Sequence, residues 1–247
     1  MKKHLPNLIT LLNLLCGSIA VLFAVNGELV TTAAFVFLGI FFDFFDGLVA
    51  RKLNVQSELG LQLDSLADMV TSGLVPGIVM FQLLSMSDGN SKWLERSNEW
   101  SSTMLWEGLH FQLFPLIGLL ITLASAYRLA RFNISDNQSD SFIGLPTPAN
   151  TLLILSFPLI LEFQNNDVIN AIILNKWFLI SITLLSAYLM NANIKLLALK
   201  FKNFSFNDNA ARFILIILAM VLLVVFQFAA VPLIILTYII ISILNKS

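Results

Sequence analysis

Long apolar runs recur along almost the whole chain and constrain its fold more than any other feature. Each run extends for about 17 to 22 residues, and a helix of that length crosses roughly 30 Å of hydrocarbon. Of the 247 residues, 57% are apolar and only 12% are charged, a composition that ordinary soluble domains do not have. The sequence therefore predicts an all-α integral membrane protein, folded as a polytopic bundle of transmembrane helices.

About eight of these runs are long enough to be spans, which predicts a single integral membrane domain over residues 1–247. The predicted spans cover residues 8–25, 30–50, 59–84, 111–130, 149–163, 177–190, 213–228 and 231–244. Gln227 and Pro232 divide the last apolar stretch into two spans, and seven spans is the alternative if they do not.

The basic residues predict how the spans are oriented, because Lys and Arg collect in cytoplasmic loops. With a cytoplasmic N-terminus, only three of the 14 Lys and Arg residues fall outside, namely Lys92, Arg96 and Lys176. The pattern predicts a multi-pass protein of the cell membrane with both termini in the cytoplasm and a long outer loop at 85–110. The 14 basic residues are matched by 15 acidic ones, so nucleic acid is not a predicted partner. The apolar spans make the lipid bilayer the predicted partner.

Four aspartates lie inside two of the apolar segments, where each charged side chain costs about 2.5 to 3.5 kcal/mol. Asp43 and Asp46 share one face of the second span, and Asp64 and Asp68 share one face of the third. A short basic turn at Arg51 joins the two spans, so we expect antiparallel neighbours. In such a hairpin the carboxylates meet as two level pairs, Asp43 with Asp68 and Asp46 with Asp64, near the cytoplasmic side.

Converging carboxylates repel one another unless cations lie between them. Mg²⁺ or Mn²⁺ is the natural choice, because hard divalent ions take oxygen ligands and bridge carboxylates to phosphates. Two such ions suit displacement at phosphorus. The small residues Gly47, Ala50 and Gly60 leave room for a nucleotide or pyrophosphate, although small residues taken alone more often form packing surfaces between membrane helices. Arg51 offers a guanidinium fork to phosphate.

This segment resembles the CDP-alcohol phosphatidyltransferases. It fits the pattern D-x2-D-G-x2-A-R-x8-G-x3-D-x3-D at every fixed position from Asp43 to Asp68. Members of that family move a phosphatidyl or related group from a CDP-linked donor to an alcohol. The resemblance implies a six-helix core, two metal ions held by the four aspartates, Asp68 as the base, and a homodimer. It also places the Gly, Ala and Arg positions of the pattern, with Asp46, in contact with the CDP part of the donor.

Three further stretches resemble the bacterial and archaeal branch of this family that makes phosphatidylserine: PNLITLLNLLCGSIA, RLARFN and FIGLPTPAN. They imply transfer of the phosphatidyl group of CDP-diacylglycerol to the hydroxyl of L-serine, with release of CMP. The catalytic core would then cover 1–192, and 193–247 would add a loop and two spans. Glycerol 3-phosphate or inositol phosphate is the alternative acceptor, and a divalent cation transporter is the alternative outside the family.

Two sets of polar residues complete the predicted site. Arg128 and Arg131 end the fourth span on one face, where they would bind the serine carboxylate or, alternatively, anchor the helix at lipid phosphates. Asn7, Thr10 and Asn13 share a face of the first span. They would bind the cytidine or phosphates of CDP-diacylglycerol, or make polar contacts between helices.

Overall fold

The computed structural model describes residues 4–87, 113–134, 141–164, 166–197 and 206–244. Most of the predicted outer loop lies outside these residues. The same is true of part of the basic set used to predict orientation, namely Lys2, Lys3, Lys92, Arg96, Lys200, Lys202 and Lys246.

The described part of the chain is almost wholly helical, which confirms the all-α prediction. The helices are α1 (Leu5–Val25), α2 (Leu29–Leu53), α3 (Glu58–Asp68), α4 (Val75–Ser87), α5 (Leu120–Asn133), α6 (Thr147–Phe163), α7 (Asp167–Ile173), α8 (Lys176–Asn191), α9 (Phe206–Phe226) and α10 (Ala230–Leu244). A π-helical segment, Met69–Leu74, joins α3 to α4, and 3-10 turns at Phe114–Leu119 and Gln227–Ala229 precede α5 and α10.

Within the described ranges, five continuous helical segments are long and apolar enough to span a membrane. A sixth is added if α7 and α8, which are bent by 58° at their junction, form one broken span. The helix α6 is apolar but shorter, at 17 residues. Each of the eight predicted spans overlaps one of these helical segments, because length and apolarity are local properties of the sequence. The last two predicted spans fall within a single continuous segment, Asn209–Leu244.

The segment that follows β2 contains two helices, α9 and α10, which pack against each other. Gln164, at the end of α6, donates to the carbonyl of Phe226 at 2.8 Å and accepts from the amide of Ala229 at 2.9 Å. From this point α10 runs back along α6 in the opposite direction. The division between α9 and α10 falls at Gln227, whose φ is 49°, next to the boundary predicted from the sequence.

Two short strands, β1 (Ser141–Ile143) and β2 (Lys195–Leu197), pair in an antiparallel ladder that the sequence did not predict. Strands of three residues are too short to give a periodic signal. The last helix holds β2 in place, since Tyr238 donates to the carbonyl of Leu197 at 3.0 Å and the amide of Leu197 donates to Ser242 at 3.1 Å. The helix α10 is thus bonded to β2 and, through the ladder, connected to β1, which follows α5.

The ladder, the start of α1, the α2–α3 turn and the end of α5 lie at the same end of the bundle. Asn133, the last residue of α5, bonds to Ser65 and Gln62 of α3 at 3.0 and 3.3 Å. We call this the basic end, because it contains Arg51, Lys52, Arg131 and Lys195.

The helices α2 and α3 pack mainly against α1 and make few close backbone contacts with each other. Small residues are buried on both helices of the α1–α2 pair, namely Ala20 and Ala24 on α1 and Ala33 on α2. The sequence predicted α2 and α3 as antiparallel neighbours, and their aspartates do converge. It did not predict that α1 packs against both helices, which a short turn does not prevent.

Candidate active site at the basic end of the bundle

A cleft opens at the basic end between α1, α2 and α3. Its volume is about 480 Å³, within the range of small-molecule sites. It is lined by Pro6, Asn7, Thr10, Asp46, Gly47, Ala50, Arg51, Val55, Gln56, Ser57, Glu58, Gly60, Leu61 and Asp64. All positions predicted to contact the CDP part of the donor line this cleft, with the exception of Asn13.

The turn between α2 and α3 shapes the mouth of the cleft. Asn54 ends α2 in the left-handed region, with φ of 51°, a conformation that Asn tolerates better than most residues. Ser57 then caps α3, because its hydroxyl accepts a hydrogen bond from the amide of Gly60 at 3.1 Å. A Cβ at Gly60 would lie only 3.3 Å from Asn7 Oδ1, so this glycine allows α1 and α3 to approach each other at the cleft wall.

Three of the four aspartates converge at the inner end of the cleft. Asp43, Asp46 and Asp64 each offer a carboxylate oxygen, and these three oxygens lie within 4.8 Å of one another. The predicted pair Asp46 and Asp64 is thus brought together. Asp43 interacts electrostatically with its predicted partner Asp68 and is also within hydrogen-bond distance of Asp64. Both aspartate helices also pack against α1.

This arrangement fits a divalent cation. Oxygen ligands bound at about 2.0 to 2.6 Å from one ion are separated from each other by distances of the size found here. Asp64 Oδ1 is buried and has no hydrogen-bond partner among the described residues. Carboxylates brought this close in a desolvated position repel one another unless a cation or a proton lies between them. The donor set, acidic oxygens alone, is the one that Mg²⁺ and Mn²⁺ prefer.

Asp68 lies beside this group and is held by α1. Its Oδ1 accepts a hydrogen bond from Asn13 Nδ2 at 3.4 Å, and Asn13 is fully buried. One turn earlier on α1, the hydroxyl of Thr10 contacts Asp46 Oδ2. Both residues of α1 therefore make polar contacts with the aspartate helices, and of the two only Thr10 also lines the cleft.

The two arginines of α5 have different surroundings. Arg128 is buried, with 9% of its surface exposed, and interacts electrostatically with Asp68 and with Tyr238 of α10. Arg131 bonds to the segment after α8, with Asn193 Oδ1 at 3.0 Å. The structure thus brings Arg128 to the aspartates and places Arg131 away from them.

Three buried residues with polar side chains were not predicted as site residues. Thr71, three residues beyond Asp68, contacts Asn13. Asn150 is fully buried, and neither its amide nitrogen nor its amide oxygen has a partner among the described residues. A polar residue inside an apolar span is the signal that could have identified both. Tyr238 gives no such signal, because its proximity to Arg128 depends on how α10 packs.

A family model for CDP-alcohol phosphatidyltransferases matches residues 3–190. The chain belongs to this family. The match confirms the resemblance, and a cation transporter is not supported, because the family consists of divalent-metal-dependent transferases. The match ends before β2, so α9 and α10 lie outside it.

Several curated relatives are named for one reaction. The CDP-diacylglycerol-serine O-phosphatidyltransferase of Bacillus subtilis is 31% identical over 174 residues, which cover 69% of this chain and 81% of that protein. The enzyme of the same name from Helicobacter pylori is 31% identical over 61% of this chain. The archaetidylserine synthase of Methanothermobacter thermautotrophicus is 29% identical over 62% of this chain. The aligned regions cover only 55% and 57% of the last two relatives.

Proposed function

We propose that this protein is a phosphatidylserine synthase, which transfers the phosphatidyl group of CDP-diacylglycerol to the hydroxyl of L-serine and releases CMP. The observation that carries the proposal is the position of Asp68, with the acidic cleft on one side and the buried Arg128 near it. A nucleotide-linked donor and a zwitterionic acceptor can therefore meet at one carboxylate. The names of the relatives support serine as the acceptor.

The cleft is suited to the CDP part of the donor. A Cβ at Gly47 would have only Arg51 Nη2 nearby, at 3.8 Å, so the wall at this glycine faces open space. A nucleotide could approach the backbone there, and Ala50 and Gly60 add little bulk. The guanidinium of Arg51 would bind the pyrophosphate oxygens.

We infer that two divalent ions, Mg²⁺ or Mn²⁺, are held by Asp43, Asp46 and Asp64 together with Asp68. When bound, such ions neutralise the charge of the pyrophosphate and stabilise the leaving oxygen. The aspartates keep this charge fixed at the inner end of the cleft, where the phosphates of the donor would lie.

The acceptor would bind on the Arg128 side of Asp68. The guanidinium of Arg128 would bind the serine carboxylate, which directs the serine hydroxyl toward the carboxylate of Asp68. Asp68 takes the hydroxyl proton while the serine oxygen forms a bond to the phosphorus that carries diacylglycerol. The bond from that phosphorus to the CMP oxygen breaks, and CMP leaves with the electron pair.

The experiment that tests this function supplies purified protein with CDP-diacylglycerol, Mn²⁺ or Mg²⁺, and one labelled acceptor at a time. We expect label from serine to enter lipid with equimolar release of CMP, and no lipid label from glycerol 3-phosphate or inositol phosphate. The variant Asp68→Asn should bind CDP-diacylglycerol without turnover. Lipid labelled from either phosphorylated acceptor would refute the serine assignment.

We further propose that the basic end faces the cytoplasm. Of the seven described Lys and Arg residues, four lie at this end, namely Arg51, Lys52, Arg131 and Lys195, and Arg128 lies one turn before Arg131 on α5. Lys176 begins α8 at the other end. This asymmetry follows the positive-inside rule and supports a cytoplasmic location for the site and for both termini. A reporter fused to the C-terminus that is active only in the cytoplasm should be active, and an inactive reporter would contradict this orientation.

We also propose a homodimer, as membership of the family implies. The molar mass of the detergent-solubilised protein, measured by light scattering with the detergent contribution subtracted, should be twice that of the chain. A mass equal to one chain at the concentrations used for activity would contradict this proposal.

A further inference from the structure

A buried chain of hydrogen bonds links the π-helical segment to Asp68 by way of α1. The hydroxyl of Thr71 donates to Asn13 Oδ1 at 2.8 Å, and Asn13 Nδ2 donates to Asp68 Oδ1 at 3.4 Å. Thr71 and Asn13 are both fully buried. Neither side chain lines the donor cleft, so these hydrogen bonds reach Asp68 from outside the cleft.

The hydroxyl of Thr71 determines which way the amide of Asn13 points. An amide presents an acceptor at one end and donors at the other, and a hydroxyl that donates to its oxygen turns its nitrogen the opposite way. The nitrogen then faces Asp68, whose ionised carboxylate can only accept. If the amide turned over, its oxygen would face the carboxylate, two acceptors would meet, and both would lose their partner.

We propose that Thr71 is a positioning residue of this enzyme: it orients the amide of Asn13, which in turn holds the Asp68 carboxylate where it takes the proton of the acceptor hydroxyl. The inference rests on the proposed function of Asp68. It assigns a role in the reaction to a hydroxyl that touches neither substrate.

The surrounding fold is shaped closely around this pair. Thr71 belongs to the π-helical segment Met69–Leu74, and such single-turn segments are frequent at functional sites because the extra residue redirects the side chains. A Cβ at Gly17 would overlap with the hydroxyl of Thr71. A Cβ at Gly39 would lie 2.8 Å from Thr71 Cγ2 and 2.9 Å from Asn13 Oδ1. Two helices thus each lack a side chain at the point where the Thr71–Asn13 pair needs space.

The test compares Thr71→Val with Thr71→Ser in the serine-dependent assay. Valine keeps the shape of threonine and removes the hydroxyl, whereas serine keeps the hydroxyl. We expect Thr71→Val to lower kcat roughly 10- to 100-fold, the loss typical when a group that orients a metal-site carboxylate is removed. KM for CDP-diacylglycerol and for serine should change little, because neither binding surface contains Thr71. Thr71→Ser should restore most of kcat.

Thr183→Val is the matched control. Thr183 is also fully buried, and its hydroxyl donates to the carbonyl of Leu179 in its own helix at 2.8 Å. This substitution removes the same group from an equally buried position without contact with Asn13 or an aspartate. We expect its kcat to equal that of the wild type, and an equal loss in both valine variants would overturn the proposal.

A double-mutant cycle tests whether Thr71 acts through Asn13. If it does, Thr71→Val combined with Asn13→Ala should lose no more kcat than Asn13→Ala alone, because the amide that Thr71 orients is gone. Additive losses would overturn the inference, as would a Thr71→Val enzyme with unchanged kcat or a Thr71→Ser enzyme as slow as Thr71→Val.

The variant Asp68→Asn distinguishes a failure of the role proposed for Thr71 from a failure of the role proposed for Asp68. An inactive Asp68→Asn enzyme beside a fully active Thr71→Val enzyme would remove the role of Thr71 and leave that of Asp68. An active Asp68→Asn enzyme would remove both. Thermal unfolding in detergent identifies any variant whose activity falls because it does not fold. In that case kcat is calculated per folded enzyme, and equal values for Thr71→Val and Thr71→Ser would overturn the proposal.

Discussion

Replacing Gly47 with alanine separates what the fold requires at this position from what the donor requires. A Cβ at Gly47 would meet only Arg51 Nη2 at 3.8 Å, an ordinary contact distance. Alanine also favours a helix over glycine by about 1 kcal/mol. The protein should therefore keep or slightly raise its midpoint of thermal unfolding.

The donor would be affected differently, because the added methyl group projects into the cleft that Gly47 lines. A methyl inserted into a well-packed contact costs about 1 to 3 kcal/mol. Since every 1.4 kcal/mol is a factor of ten, KM for CDP-diacylglycerol should rise roughly 5- to 140-fold. KM for serine should stay close to its wild-type value, because Arg128 lies outside the lining of this cleft.

The assay measures both Michaelis constants in mixed micelles, next to a thermal unfolding curve. Gly39→Ala, on the same helix, is the contrasting control. Its Cβ would lie 2.8 Å from Thr71 Cγ2, so it should lower the unfolding midpoint, which Gly47→Ala should not. An unchanged KM for CDP-diacylglycerol in Gly47→Ala would refute the placement of the donor at this glycine, and a lowered unfolding midpoint would refute the open space beside it.

Three further outcomes are expected. Arg128→Lys should raise KM for serine about tenfold or more, since a hydrogen bond to a charged group contributes about 1.5 to 3 kcal/mol, whereas Arg131→Lys should change it little; equal effects would contradict the separation of the two arginines. Removal of divalent ions with a chelator should abolish turnover, and added Mg²⁺ or Mn²⁺ should restore it; activity in excess chelator would exclude the metal site. Tyr238→Phe and Ser242→Ala should each lower the free energy of unfolding by about 1 kcal/mol, because each leaves a backbone group of Leu197 without its partner; unchanged unfolding midpoints would show that α10 does not stabilise β2.

The sequence predicted the spans and most of the cleft, because both depend on local properties. A run of apolar residues is long enough to cross a bilayer or it is not. Likewise, the spacing of Asp43, Asp46, Gly47, Ala50 and Arg51 places them on one side of a helix whatever lies opposite. The residues of the cleft could therefore be identified before it was known that α1 forms one of its walls.

The relation between helices could not be obtained in this way. The turn after Arg51 predicted α2 and α3 as neighbours, but it could not show that α1 packs against both. Spacing also placed Arg128 and Arg131 on one face, but one is buried beside Asp68 and the other bonds to Asn193. Two side chains three residues apart differ by about 4.5 Å along the helix axis, and at the end of a helix this distance separates the bundle interior from the surface.

The polar groups inside the bundle depend both on the local sequence and on how the helices pack. With no water in the hydrocarbon region, a buried polar side chain needs a partner within the protein or from a ligand. Thr71 and Asn13 satisfy each other and Asp68. Among the described residues, Arg128 Nε and both amide atoms of Asn150 remain without partners. Arg128 interacts with Asp68, and Asn150 precedes Thr151, whose hydroxyl donates to the carbonyl of Ser72 one turn beyond Asp68. The hydrogen-bonding capacity that the protein does not use thus includes Arg128 Nε near the proposed base, where the carboxylate of a small zwitterion would use it.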